Sequence, residues 1–139
     1  MADGRTTVEL EVVTPHRLLM REDVTEVMAP GQEGYFGVLP GHAPLMAALK
    51  IGEVTYWKGR EERHVAVTGG YAEVRPDKVT ILADAAERAE EIDVQRAEAA
   101  RRRADERLRS WGDERIDFTR AQGSLQRAFT RLTVAGKGG

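Results

Sequence analysis

An α+β fold, a β-sandwich followed by an antiparallel hairpin of two helices, is predicted by three features of the sequence. Through residue 84, apolar side chains alternate with polar ones in short runs, the period of a strand with one wet face. Gly and Pro interrupt those runs at close intervals, as tight turns require. From residue 85 onward Ala, Arg and Glu dominate, and apolar residues recur three and four positions apart, the spacing of one helix face. The change places a sandwich domain over residues 1–86 and a helical hairpin over 87–139.

Val8, Leu10 and Val12 alternate with Glu9 and Glu11 as the first strand, which Thr14-Pro15 ends. Arg17–Met20 and Val24–Met28 are the next extended runs, the latter closed by Pro30-Gly31. Gly34, Gly37 and Gly41, with Pro40 and Pro44, then punctuate a segment holding Tyr35, Phe36, Val38, Leu39 and Leu45, which reads as short strands and bends. Val54–Trp57 and Val65–Val67 pair as a hairpin around Lys58-Gly59, Gly69-Gly70 makes a bend, and Tyr71–Val74 and Val79–Leu82 flank the turn Pro76-Asp77. About nine extended runs in about 80 residues, with so many turn signals, indicate a sandwich or flattened barrel. Ala85–Glu91 reads as a charged, small-side-chain tether, and Asp93 as the residue that caps the first helix. Ala97, Ala100, Ala104, Leu108 and Trp111 form one stripe, Gly112-Asp113 breaks it, and Phe118, Ala121, Leu125, Ala128 and Leu132 form the second. So short a link predicts antiparallel helices with their alanine seams face to face. Alanine buries little apolar area, at about 25 cal/mol per Å², so this hairpin needs a docking surface beyond its own contacts.

At 139 residues, 41% hydrophobic and 32% charged, the chain has the size of one domain or two small units. It contains no Cys, which excludes a disulfide framework and thiolate metal ligation. No apolar run approaches the roughly 20 residues of a membrane span, and a signal peptide's apolar core is lacking, so a soluble, intracellular chain is expected. Residues 1–84 carry 9 basic and 13 acidic side chains, whereas 85–139 carry 12 basic and 10 acidic. Between Phe118 and Gly139 stand Arg120, Arg127, Arg131 and Lys137 with no carboxylate side chain, a basic surface suited to an acidic protein partner rather than to nucleic acid.

His16, His42 and His64 show no metal-ligand spacing, and neither a phosphate-cradling GxxxxGK[ST] nor a nucleophile elbow is present. No metal site and no catalytic residue are expected. Arg101-Arg102-Arg103 reads as a solvated helix face paired with Glu98, Asp105 and Glu106. One constellation stands apart. In an antiparallel hairpin, Arg127 and Arg131 return beside Asp93 and Arg96 at the start of the first helix, where free N–H groups favour an anion. The spacing fits a phosphate-bearing ligand there, and it fits equally a simple pairing of Arg127 or Arg131 with Asp93.

GYFGVLPGHAPL at 34–45, TGGYAEVRPDKVTILADAAERAEEIDVQRA at 68–97 and LQRAFTRLTV at 125–134 resemble the epsilon subunit of bacterial rotary ATP synthase. The resemblance runs from VVTP at 12–15 to the end of the second helix. It implies a ten-stranded sandwich and a mobile hairpin in a non-catalytic rotor subunit that couples the gamma subunit to the c-ring. Such a subunit sits peripherally on the cytoplasmic side of the bacterial inner membrane, without inserting into it. The stretch 33–45, with Glu33, Tyr35 and His42, is implied as the gamma and c-ring contact, although Tyr35 stands where some relatives carry an acid. The family's hairpin extends into the catalytic hexamer, meeting alpha and beta subunits and blocking ATP hydrolysis, which assigns Arg120, Arg127 and Arg131 to the beta contact. No cofactor is required. ATP is implied as a regulatory ligand that favours the folded-down hairpin, held by Glu87, Ile92, Asp93, Arg96 and Ala97 with Arg127 and Arg131. A free-standing nucleotide-sensing adaptor with a movable hairpin is the alternative.

Overall fold

The structure, a computed structural model, describes residues 6–110 and 112–138. Among these residues eight strands are followed by two α-helices: β1 (Val8–Val13), β2 (Leu18–Val24), β3 (Glu26–Gly31), β4 (Gly34–Val38), β5 (Leu45–Lys58), β6 (Glu61–Val74), β7 (Lys78–Ala83), β8 (Ala86–Arg88), α1 (Val94–Arg109) and α2 (Phe118–Lys137). The hydrogen-bonded order is β2-β1-β7-β6-β5-β3-β4, with β8 on β6. Among the described residues only the β1–β7 contact is parallel.

Eight strands among the described residues stand against the nine runs read from the sequence and the ten that the resemblance implies, because two pairs of runs fuse and β8 adds one that was read as tether. The run at Leu45 and the run Val54–Trp57 are one 14-residue strand, β5, and Val65–Val67 and Tyr71–Val74 are both parts of β6. Gly69-Gly70 bends this strand without ending it: the residues stand at φ 108° and 122°, and pairing with β5 keeps its register on both sides. Before the bend β6 pairs with β8, and after it with β7. The two layers of the sandwich therefore share β5 and β6. Leu10, Val12, Val27, Val54, Val65, Val67, Val79 and Ile81 fill the space between the layers and are wholly buried. The tether expected over Ala85–Glu91 is instead ordered, as β8 and a 3-10 turn over Ala89–Glu91, so the division between residues 86 and 87 falls inside a strand.

Asp93 caps α1 by accepting from the Arg96 N–H at 3.0 Å, and Asp117 caps α2 in the same way from Arg120. Ala97 and Ala104 of α1, and Ala121 and Ala128 of α2, are buried where the helices meet. Trp111, expected to close the first stripe, lies outside the described residues. Val134, two positions past Leu132 and so on the opposite side of α2 from that stripe, is fully buried as well. There α2 lies on the sandwich: Val134 and Ala135 pack with Ala66, Ala89 and Ile92 in a small second core. The hairpin is folded down, with α2 against β5 and β6.

Candidate functional site

The seam between α2 and the sandwich gathers part of the expected nucleotide set. β8 pairs with β6 so that Glu87 stands beside Ala66, and the Glu87 carboxylate meets Nε of Arg131 at 2.6 Å. Ile92 is buried below, in the second core. Ala97 is buried in the helix–helix seam, and the Arg96 side chain is exposed. Asp93 is taken up by its cap. Arg127 donates to the Ser124 hydroxyl at 3.1 Å, one turn back along its own helix. The pairing of an arginine with Asp93, one of the two readings open from spacing, is thus replaced by Glu87–Arg131. A backbone-bound capping carboxylate is a poorer partner than a free one on a strand.

The turn leading to α1 is clasped to the sandwich. Glu91 accepts from both terminal nitrogens of Arg17, at 3.0 and 3.3 Å, and from the Arg88 N–H at 3.0 Å. These bonds, the Arg17 guanidinium foremost, hold its carboxyl below the usual carboxylate range. Arg88 in turn reaches the Leu19 carbonyl at 3.3 Å.

The expected rotor-contact residues lie along β4 and the loop after it. Glu33 is exposed at the β3–β4 turn. Tyr35 lies half exposed across Gly52, where a Cβ would come within 2.8 Å of the phenol oxygen, and this oxygen accepts from the Glu53 N–H at 3.2 Å. The Lys50 ammonium sits 5.5 Å from the Tyr35 ring centre. His42 donates through Nδ1 to the Ala43 carbonyl at 2.6 Å, in a loop that Gly41 ties to the Pro76 carbonyl. Tyr35 also lines a cavity of about 160 Å³ with Glu53, Phe129 and Thr133, so it faces the hairpin as well as solvent.

Two groups of residues were missed from sequence. The first is an apolar row on the outer face of the sheet. Leu18 pairs with Val13, Val13 with Leu82, Leu82 with Tyr71, and Tyr71 with Ala48. Directly paired residues share a face, and Leu18, Leu82 and Tyr71 are 48%, 47% and 56% exposed, with Met46 beyond Ala48 at 63%. The signal was present in β7, where Leu82 follows buried Ile81 and so extends apolar character to the wet face. The second is a cluster at the hairpin tip, where Arg107 and Arg115 join Arg120 around a recess of about 270 Å³. Arg101 pairs with Glu98 and Arg109 with Asp105, while Asp113 binds Arg115, whose guanidinium holds the Asp113 carboxyl low.

His64 is buried, with Nε2 2.9 Å from Glu62 and Nδ1 3.1 Å from the Thr55 hydroxyl. Among the described residues no group of three acidic or imidazole side chains forms that would hold a metal. No helix among them is long and apolar enough to cross a membrane.

Comparison with known proteins follows the same division of the chain. Residues 7–89 match the family described as ATP synthase, Delta/Epsilon chain, beta-sandwich domain, and residues 90–136 match its long alpha-helix domain. The chain is 58% identical over 130 residues to an ATP synthase epsilon chain of Syntrophobacter fumaroxidans, covering 94% of this chain and 96% of that one. It is 50% identical over the same span to an ATP synthase epsilon chain of Nitratidesulfovibrio vulgaris, again covering 94% and 96%. Its fold is shared with a chain of the Euglena gracilis mitochondrial ATP synthase at a TM-score of 0.79 and 24% identity, over 97% of this chain and 86% of the other. A chain of the Tetrahymena thermophila mitochondrial ATP synthase central stalk and c-ring aligns at a TM-score of 0.55 and 12% identity, over 94% of each. A match that runs through both units, at half or more of the residues identical, means that this chain belongs to the ATP synthase epsilon family, whose members are non-catalytic subunits of the complex.

Proposed function

We propose that the protein couples the gamma subunit to the c-ring in the central stalk and that its hairpin restrains ATP hydrolysis. The observation that carries this reading is the exposed apolar row Leu18–Leu82–Tyr71–Met46, which the folded-down hairpin leaves open. A row of this kind is unfavourable in water and marks a surface that another protein covers. Gamma covers the row, and the c-ring meets the neighbouring turn at Glu33, Tyr35 and His42. The protein then lies peripherally on the cytoplasmic side of the bacterial inner membrane.

In the extended form, Arg120, Arg127 and Arg131 meet acidic segments of the beta subunits inside the alpha–beta hexamer. The fold supports such a movement, because α2 rests on the sandwich through one small apolar cluster and the ion pairs Glu87–Arg131 and Glu53–Lys137. ATP favours the folded-down form. Its phosphates are bound by Arg127 and Arg131 near the N-terminus of α1, with Glu87, Ile92, Asp93, Arg96 and Ala97 completing the set. Because Glu87 already neutralises Arg131, an incoming phosphate shares or displaces that carboxylate, which lowers the net gain. A ligand shifts the hairpin only by its difference in affinity for the two forms.

Two experiments test the reading. Purification from cell extract recovers gamma, alpha and beta with a rotor subunit, and none of them with a free-standing adaptor. Calorimetry with the isolated protein is expected to give one ATP per chain, weakened by Arg96→Ala and more strongly by Arg127→Ala/Arg131→Ala. Absence of heat at millimolar ATP removes the nucleotide from the proposal and leaves the rotor role standing.

A further inference from the structure

Three α2 side chains near the C-terminal end of the helix match three adjacent strands. Glu87 of β8, Ala66 of β6 and Glu53 of β5 are cross-strand partners, and so form a row of acid, alanine, acid on one face. Above them stand Arg131, Val134 and Lys137. Arg131 pairs with Glu87, Val134 is buried in the cluster that contains Ala66, and the Lys137 ammonium binds Oε1 of Glu53. Three helical residues rise about 4.5 Å, against about 4.7–4.9 Å between strands, so the helix crosses the strands almost in step. A three-residue step also turns about 60° short of a full revolution. Arg131 and Lys137 therefore splay to opposite sides of Val134, and their long stems close the distance to the two carboxylates.

We infer that this charge–apolar–charge match is a latch that sets the register of the folded-down hairpin, and that Lys137–Glu53 is a point of closure separate from the nucleotide set. A slide of α2 by one strand brings Val134 over a carboxylate and parts both ion pairs, so the charges select one docked position and penalise its neighbours. Glu53 is built for the role. Its backbone N–H is held by the Tyr35 hydroxyl, and its side chain is largely covered. Its other oxygen, Oε2, is buried with no hydrogen-bond partner among the described residues, and Nδ1 of His64 stands 4.0 Å from it. Loss of Lys137 leaves a covered carboxylate without its cation.

The absence of Cys allows the position of the hairpin to be read directly in the full chain. Donor and acceptor dyes on Arg60→Cys and Glu114→Cys report the distance from the β5–β6 turn to the hairpin tip, with no nucleotide present. Lys137→Gln is expected to raise the open-to-docked ratio roughly two- to fivefold at low salt. Lys137→Glu is expected to raise it further, and the pair Lys137→Glu/Glu53→Lys to bring it back toward the starting value, with circular dichroism unchanged. Should Glu53→Lys fail to fold, Lys137→Glu alone decides, since Lys137 lies at the exposed end of α2. Unchanged energy transfer in Lys137→Glu overturns the latch, as does a folded double variant as open as the single one. Because ATP is left out, either result is independent of nucleotide binding.

Discussion

Gly70 stands at φ 122°, and a Cβ on it would lie 2.0 Å from the Leu82 carbonyl oxygen. Backbone conformation and space both require glycine here, so Gly70→Ala is expected to cost at least about 2 kcal/mol in urea unfolding. Glu91 offers a second test at this scale. Its carboxyl is held below the usual range by Arg17 first, opposed by burial and aided by the Arg88 N–H. A carboxyl depressed in the folded state contributes stability above its unfolded pKa, and that contribution is lost as pH falls through the folded value. Melting temperature between about pH 6 and pH 3 should therefore fall less steeply in Glu91→Gln than in the unchanged protein. The slope is the readout, because the substitution also lowers stability at neutral pH.

Among the elements, β8 decides where the sandwich ends. It supplies backbone pairs to Val65–Val67, and the turn after it carries the Glu91 clasp. A chain cut after residue 91 should fold and bind gamma. One cut after residue 86 keeps the core but loses both features, and should melt lower by roughly 4–8 °C for each kcal/mol lost. Joined to the assembled enzyme, the fragment ending at residue 91 is expected to raise ATP hydrolysis without loss of assembly. Unchanged hydrolysis would give the hairpin a structural role only. The short length of β8 explains why it was illegible in the sequence. Ala86, Glu87 and Arg88 show no alternation, and their place in the sheet comes from backbone bonds that any sequence can make. The helices were easier to read, because Asp93 sits at the start of the first and apolar residues recur three and four positions apart along both.

For the whole molecule, Tyr71→Asp and Leu82→Asp test the apolar row. Both side chains are about half exposed, so stability should change little, while binding to gamma should weaken about tenfold or more. Intact binding by both variants would move the gamma contact elsewhere. How legible the site was follows from sequence distance. Ile92, Asp93, Arg96 and Ala97 lie within six residues, and their motif was plain. Glu87–Arg131 and Lys137–Glu53 join residues 44 and 84 positions apart, and no local pattern reports such a pairing. The fusion within β6 escaped for a related reason: Gly69-Gly70 looks like a chain break until β5, β7 and β8 are placed beside it.

Those strands bear on mechanics. β5 and β6 each have 14 residues, a contour of about 46 Å at about 3.3 Å per residue, and they are paired in one register from end to end, with a gap only at Lys50 and Gly69. In a sandwich of two separate sheets, twisting load applied to one face reaches the other only through side-chain packing, and the sheets shear. Here the load passes along two unbroken backbones that belong to both layers. A body of this construction resists torsion, which the coupling role proposed above requires if rotation at one end is to appear at the other without lag.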